Sequence, residues 1–146
     1  MERWSWVLVL AATAYAATSF GRQGQWGLLA LVAVAGLPLA WWTSPWRGSP
    51  SATHREVLDR PERDRRVVVY WRPGCVYCAR LRSLLGHTRG RATWVNIWQD
   101  AEAAAFVRSV NGGNETVPTV VLDGVPVTNP DPRHVRGRLV QEEARG

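Results

Sequence analysis

The chain has 146 residues, 46% of them apolar and 21% charged, with a formal charge of +6. That balance excludes a disordered chain, and two cysteines exclude a disulfide-stapled miniprotein. The charge is unevenly placed, because residues 1–46 carry only Glu2, Arg3 and Arg22 while holding six of the nine tryptophans. One globular domain is therefore a poor fit. A helical hairpin at 1–46, a linker at 47–66 and a small α/β domain at 67–146 fit better. All 18 basic residues are arginine, six against four acids in 47–66 and ten against seven in 67–146. Charge spread this thinly, without interleaved aromatics, does not predict a nucleic-acid partner.

Two apolar runs open the chain, Trp4–Phe20 (WSWVLVLAATAYAATSF) and Trp26–Trp46 (WGLLALVAVAGLPLAWWTSPW), joined by GRQGQ. At 17 and 21 residues they fall in the range of about 17–25 for a membrane-crossing helix. Tryptophans sit at their ends, where interfacial aromatics belong. Arginines after the second run (Arg47, Arg55, Arg60, Arg63, Arg65, Arg66) outnumber the single Arg22 between the runs. The expectation is a multi-pass protein of the cell membrane, with the bilayer as partner and the rest of the chain facing the cytoplasm. A rival reading makes the first run a signal peptide, with Ala14-Tyr15-Ala16 as its cleavage site. Another makes both runs buried core helices.

Thr43–Ala52 (TSPWRGSPSA) reads as a linker, and the charged stretch Thr53–Arg66, with Pro61, as at most a short surface helix. Val67–Trp71 (VVVYW) has the pattern of a strand buried on both faces, followed by an Arg72-Pro73-Gly74 turn. Cys75–Leu85 shows helical spacing, and Gly86 can end it. Ala92–Ile97 predicts a second strand, Asp100 caps a helix to about Val110, and Asn111-Gly112-Gly113 stops it. Val117–Leu122 and Val125–Thr128 form a hairpin about Asp123-Gly124, and Asn129 or Asp131 caps a last helix to about Ala144. The order β-α-β-α-β-β-α makes a mixed sheet with helices on both faces.

Both cysteines fall in Cys75-Val76-Tyr77-Cys78, at the strand-to-helix junction. Unpaired N–H groups and the positive dipole end of a helix start favour thiolate over thiol at Cys75, and Arg72 can add positive charge. Cys78, three residues on, shares its helical face and can attack a mixed disulfide formed on Cys75. Cys75 is expected to be exposed and Cys78 more buried. Zinc needs about four ligands, and His54, His87 and His134 have no ligand spacing, so no metal or other bound cofactor is expected. A permanent structural disulfide and a pair of functionless core cysteines are the other readings. Farther along, Thr116-Val117-Pro118 precedes a strand. If the Val117–Pro118 bond is cis, the Val117 backbone turns outward and can pair with an extended thiol peptide; an ordinary trans proline is the alternative.

Three stretches, Tyr70–Cys78 (YWRPGCVYC) with Ala79-Arg80-Leu81-Arg82, Val110–Val120 (VNGGNETVPTV) and Thr128-Asn129-Pro130, together resemble the glutaredoxin family, most closely its actinobacterial branch, the mycoredoxins. The resemblance covers about residues 67–142 and implies a thioredoxin-like fold. It implies a thiolate that acts on disulfides between proteins and a low-molecular-weight thiol, which in mycoredoxins is mycothiol. By position, Cys75 resembles the nucleophile and Cys78 the resolving cysteine. Tyr77 lines the thiol site, and Thr116, Val117 and Pro118 form a cis-proline platform. Three departures bear on substrate choice. Val76 stands where the family often has Pro or Gly, Arg72 replaces a small polar residue, and Thr128-Asn129 replaces the Cys-Asp pair of glutathione-type members. The expected function is a membrane-anchored thiol–disulfide oxidoreductase with mycothiol as co-substrate. A dithiol reductase of protein disulfides and a catalytically silent interaction module are the alternatives.

Overall fold

The computed structural model describes residues 5–44 and 51–143. The chain divides into two compact units, Met1–Gly48 and Ser49–Gly146.

In the first unit, helices α1 (Ser5–Arg22) and α2 (Trp26–Thr43) pack against each other across a turn closed by Gln25 N donating to Phe20 O at 2.9 Å. Gly36 is required at their contact, since a Cβ there would collide with the Thr13 side chain. The membrane expectation does not hold. Among the described residues no helix is long and apolar enough to cross a membrane. Each helix has 18 residues, about 27 Å at 1.5 Å per residue, against a hydrocarbon core of about 30 Å. Thr13, Tyr15, Thr18 and Ser19 dilute α1, and Arg22 closes it; α2 contains Pro38 and ends at Thr43, short of the expected Trp46. Trp4, Trp46 and residues 47–50 of the linker, Arg47 among them, lie outside the described residues. The lipid-bilayer partner and the cell-membrane placement with a cytoplasm-facing redox domain fall with the spans that carried them.

The second unit is a thioredoxin-like α/β domain. Its strands are β1 (Val67–Trp71), β2 (Thr93–Asn96), β3 (Thr119–Leu122) and β4 (Val125–Thr128), in the spatial order β2-β1-β3-β4. β1 runs parallel to β2 and antiparallel to β3, and β4 is antiparallel to β3. The helices are α3 (His54–Asp59), α4 (Val76–Leu85), α5 (Ala101–Val110) and α6 (Pro132–Glu143). The expected element order is present, with β2 and β3 shorter at their ends than their apolar runs. All five residues of β1 are buried, as a central strand covered on both faces requires. On one face Val67, Val69, Val120 and Leu122 meet Leu81 and Leu85 of α4 and Val135 and Leu139 of α6. On the other, Val68, Tyr70, Val95 and Ile97 meet Ala103, Ala104 and Val107 of α5. The β3–β4 turn places Asp123 at φ 47° and Gly124 at φ 85°, the left-handed pair that a two-residue hairpin demands.

The charged stretch before β1 is more than a surface segment. Its single helical turn and a half is held by a capping box, in which Glu56 N donates to Thr53 Oγ1 at 3.2 Å and Thr53 N donates to Glu56 Oε2 at 2.8 Å. Val57 is 3% exposed and joins the α5-side core. Asp100 ties this segment down: one carboxylate oxygen caps α5 through Glu102 N and Ala103 N, and the other accepts from His54 N at 2.6 Å. Ser51 and Ala52 hydrogen-bond along the outer edge of β2, through Asn96 N to Ser51 Oγ at 2.6 Å and Ala52 N to Trp94 O at 3.2 Å, which covers that sheet edge.

Under this segment His54 Nδ1 lies 2.8 Å from the Tyr70 hydroxyl, and Phe106 packs on both rings at 5.0 and 4.9 Å between centroids. Burial first, and then the charge of Asp100, hold the Tyr70 phenol well above its ordinary ionisation range. The unfolded chain, with a phenol pKa of about 10, therefore releases this proton first as pH rises. The stability linked to Tyr70 is complete below about pH 10 and is lost above it. In urea unfolding between pH 9 and 12, Tyr70→Phe is expected to be less stable than wild type at neutral pH but to decline less steeply on the alkaline side. Parallel declines would show that Tyr70 ionisation is not linked to folding.

Candidate functional site

The site forms where β1 ends. Gly74, at φ 73°, turns the chain out of the strand in a conformation that side-chain-bearing residues avoid, and α4 begins two residues later. Cys75 is the N-cap of α4, outside the helix proper: its backbone is extended, and its sulfur accepts from Cys78 N at 3.1 Å. Its carbonyl accepts the first helical bond, from Ala79 N at 3.0 Å. A sulfur in this position takes up one of the N–H groups that a helix start leaves unpaired. Cys75 and Cys78 are joined as a disulfide with a Cα–Cα separation of 5.3 Å. Cys75 is half-buried, whereas Cys78 is 3% exposed and packs in the core. An attacking group coming from solvent therefore meets Cys75.

Facing the cysteines is the loop before β3. The Val117–Pro118 bond is cis. The Val117 carbonyl oxygen lies 3.5 Å from Cys75 Sγ. Both Val117 and Pro118 are buried, and Thr116 is exposed beside them. Tyr77 is 60% exposed and Val76 72%, so two apolar side chains next to the disulfide have no place in the core. They give the site an uncharged rim. Arg72 is partly buried, its guanidinium carbon 6.0 Å from the centre of the Trp98 ring.

Thr128 and Asn129, which the resemblance ties to the choice of thiol, bond the loop here. Asn129 N donates to Pro118 O at 2.7 Å, and the Thr128 hydroxyl bonds Asn111 Oδ1. Asn111, which the sequence suggests only as a helix stop, is the centre of this arrangement. Its Nδ2 donates to Val107 O at 2.8 Å and to Thr119 Oγ1 at 3.0 Å, and Thr119 Oγ1 donates to Thr116 O at 2.7 Å. One amide thus links the end of α5, the start of β3, the end of β4 and the carbonyl of Thr116. Arg108 Nη1 and Glu115 Oε1, 2.5 Å apart, hold the same loop from its far side. Nothing local in the sequence marks Asn111 for this, because Thr128 is 17 residues away. Among the described residues there is no group of three or more His, Cys, Asp or Glu able to hold a metal ion.

A cysteine pair at the first turn of a helix, opposed by a cis-proline loop on a thioredoxin-like sheet, is the constellation of a thiol–disulfide oxidoreductase. Comparison with known proteins narrows the class. The Glutaredoxin family model matches residues 67–127. A Mycobacterium tuberculosis protein provisionally named a glutaredoxin is 43% identical over 76 residues, 51% of this chain and 90% of that one. Mycoredoxin 1 of Corynebacterium glutamicum is 44% identical over 66 residues, 44% of this chain and 80% of its own length. The chain belongs to the glutaredoxin family.

Replacing Asn111 by Ala removes the shared amide and leaves Thr119 and Thr128 to find other partners. A loss of about 1–3 kcal/mol is expected in equilibrium unfolding, together with a lower rate of disulfide reduction. Unchanged stability and rate would show that the loop is held without it.

Proposed function

We propose that this protein reduces mixed disulfides between proteins and a low-molecular-weight thiol, with mycothiol as that thiol, Cys75 as nucleophile and Cys78 as resolving cysteine. The observation that carries this reading is the contrast at the pair: Cys75 sits at the helix start facing solvent and the Val117 carbonyl, and Cys78 sits in the core. In the first step the Cys75 thiolate attacks the mycothiol sulfur of the mixed disulfide. A Cys75–mycothiol bond forms, the protein–mycothiol bond breaks, and the protein sulfur leaves as thiolate and takes a proton from solvent. In the second step one of two thiolates attacks. A second mycothiol, attacking the bound mycothiol sulfur, releases mycothiol disulfide and the Cys75 thiolate. Attack by Cys78 on Cys75 Sγ instead closes the Cys75–Cys78 disulfide and releases mycothiol.

Mycothiol is favoured by the likeness to Mycoredoxin 1 and by Thr128-Asn129 standing in place of the Cys-Asp pair of glutathione-type members. The uncharged rim of Tyr77 and Val76 and the exposed Thr116 supply the surface for the thiol. An extended peptide thiol would pair with the backbone at Val117. Residues 67–146 carry this chemistry in our reading, with the end of the 47–66 stretch docked on them through Ser51, Ala52, His54 and Val57 and with 1–46 as a helical hairpin.

The closed disulfide favours a second route on the same residues, the direct reduction of protein disulfides by the Cys75–Cys78 dithiol. Variants separate the two. With mycothiol and a mycothiolated protein as substrate, Cys75→Ser is expected to lose all activity, and Cys78→Ser to keep release of the protein thiol. If Cys78→Ser is inactive on every substrate, the dithiol route is the function. If wild type reduces glutathione mixed disulfides faster than mycothiol ones, mycothiol is the wrong thiol.

A further inference from the structure

The segment before β1 crosses the α5 side of the sheet as an arch with two anchors. At one end His54 N donates to Asp100 Oδ2 at 2.6 Å, and at the other Asp123 N donates to Arg66 O at 2.8 Å. Between these anchors Val57 alone is buried. A cavity of about 510 Å³ is left between the arch, the sheet and Phe106 of α5. None of the residues proposed for the disulfide chemistry lines it. Most of its lining comes from residues before Val67, where the family match begins, so the glutaredoxin domain alone does not form it.

The lining is apolar with a charged border. Val68 and Val121, opposite each other on β1 and β3, make the floor, with Val57 and Phe106 beside them. Val121 is the one residue of β3 that is not buried, and Leu58 of the arch is 54% exposed. Both are apolar surface that the protein's own packing leaves uncovered. His54, Tyr70 and Phe106 form a wall of three rings with centroids 4.9 to 5.8 Å apart. Of the charged residues on the border, Arg63 is paired with Asp64 and Asp123 with Arg138. That leaves Arg65 and Arg66, both partly buried, against the exposed Glu62, a small positive excess.

We propose that this cavity binds a small amphipathic monoanion, an aryl-alkyl carboxylate in chemical class, with its ring on Val68, Val121 and Phe106 and its carboxylate toward Arg65 and Arg66. The volume is that of a small-molecule site, and apolar walls with a few polar groups are the usual make-up of one. A ring finds edge and face partners in the three-ring wall that an aliphatic chain would not use. The small positive excess suits one carboxylate, which a guanidinium can hold through two parallel hydrogen bonds.

The test titrates hydrocinnamate into the full chain with the Cys75–Cys78 disulfide closed, following methyl and aromatic signals in a proton–carbon spectrum. Binding is read with no disulfide substrate present, so its outcome is separate from that of the thiol chemistry. Saturable binding with a stoichiometry of one is expected, with shifts at Val68, Val121 and Phe106 and none at Val76 or Tyr77. Hydrocinnamyl alcohol, which lacks the charge, and propanoate, which lacks the ring, are each expected to bind at least about tenfold more weakly. Arg65→Gln is expected to weaken hydrocinnamate about tenfold and to leave the alcohol unchanged. Val121→Phe, which puts a ring into the cavity, is expected to abolish binding, and both variants to keep the disulfide-reduction rate of wild type. Should Val121→Phe fail to fold, Arg65→Gln decides. Absence of saturable binding, shifts centred on Tyr77, equal affinity for all three probes, or equal affinity of wild type and Arg65→Gln for hydrocinnamate overturns the proposal.

Discussion

Strand β1 is hydrogen-bonded along both edges and buried on both faces, so the point where it ends is fixed from four sides. The rest of the site depends on that end. Pro73 and Gly74 turn the chain immediately after it, and α4 must start there because Leu81 and Leu85 belong in the core on one side of the sheet. Cys75 is left at the helix start as a consequence. The same strand also places the opposing loop. Tyr70 is paired with Thr119 in antiparallel register, so the residues just before Thr119 run back past the residues just after Trp71. That register brings the Val117 carbonyl within 3.5 Å of Cys75 Sγ across 42 residues of sequence. A register slip would separate the two halves of the site and turn the buried faces of the strands outward.

The two halves are held by different kinds of interaction. The cysteine side rests on buried apolar contacts and on one N–H of the helix start, which the Cys75 sulfur takes up. The proline side rests on a small polar network around Asn111, where each hydrogen bond contributes about 1 kcal/mol net. Such a network sets position more than it adds stability. The Arg55–Glu102 ion pair at 2.6 Å has both side chains largely exposed and adds little to either half.

Much of this was legible in the residues. The VVVYW run, the Pro-Gly turn, the helical spacing after Cys75 and the Asp123-Gly124 hairpin each carry a local signal, and together they yield the order of elements and the mixed sheet. What escaped was long-range or depended on context. Val57 is one apolar residue in a charged stretch, and only its contacts with the core show that the segment is docked. Asn111 reads as a helix stop because its partners Thr119 and Thr128 are distant in sequence. The membrane expectation fails for a different reason: the second apolar run is longer than the helix it forms, and the first forms a helix diluted by polar residues. Pro38 and the Ser/Thr content of α1 matter to a helix in lipid and little to a tally of apolar residues.

A helix start that activates Cys75 as a nucleophile must lower the pH at which its thiolate forms. In reduced full-length protein carrying Cys78→Ser, the ultraviolet absorbance of the Cys75 thiolate would be followed against pH, with the double cysteine variant subtracted to remove tyrosine ionisation. An activated Cys75 gives a midpoint clearly below the free-cysteine value of about 8.5. A midpoint at or above that value would contradict it and leave a glutaredoxin fold without an activated nucleophile.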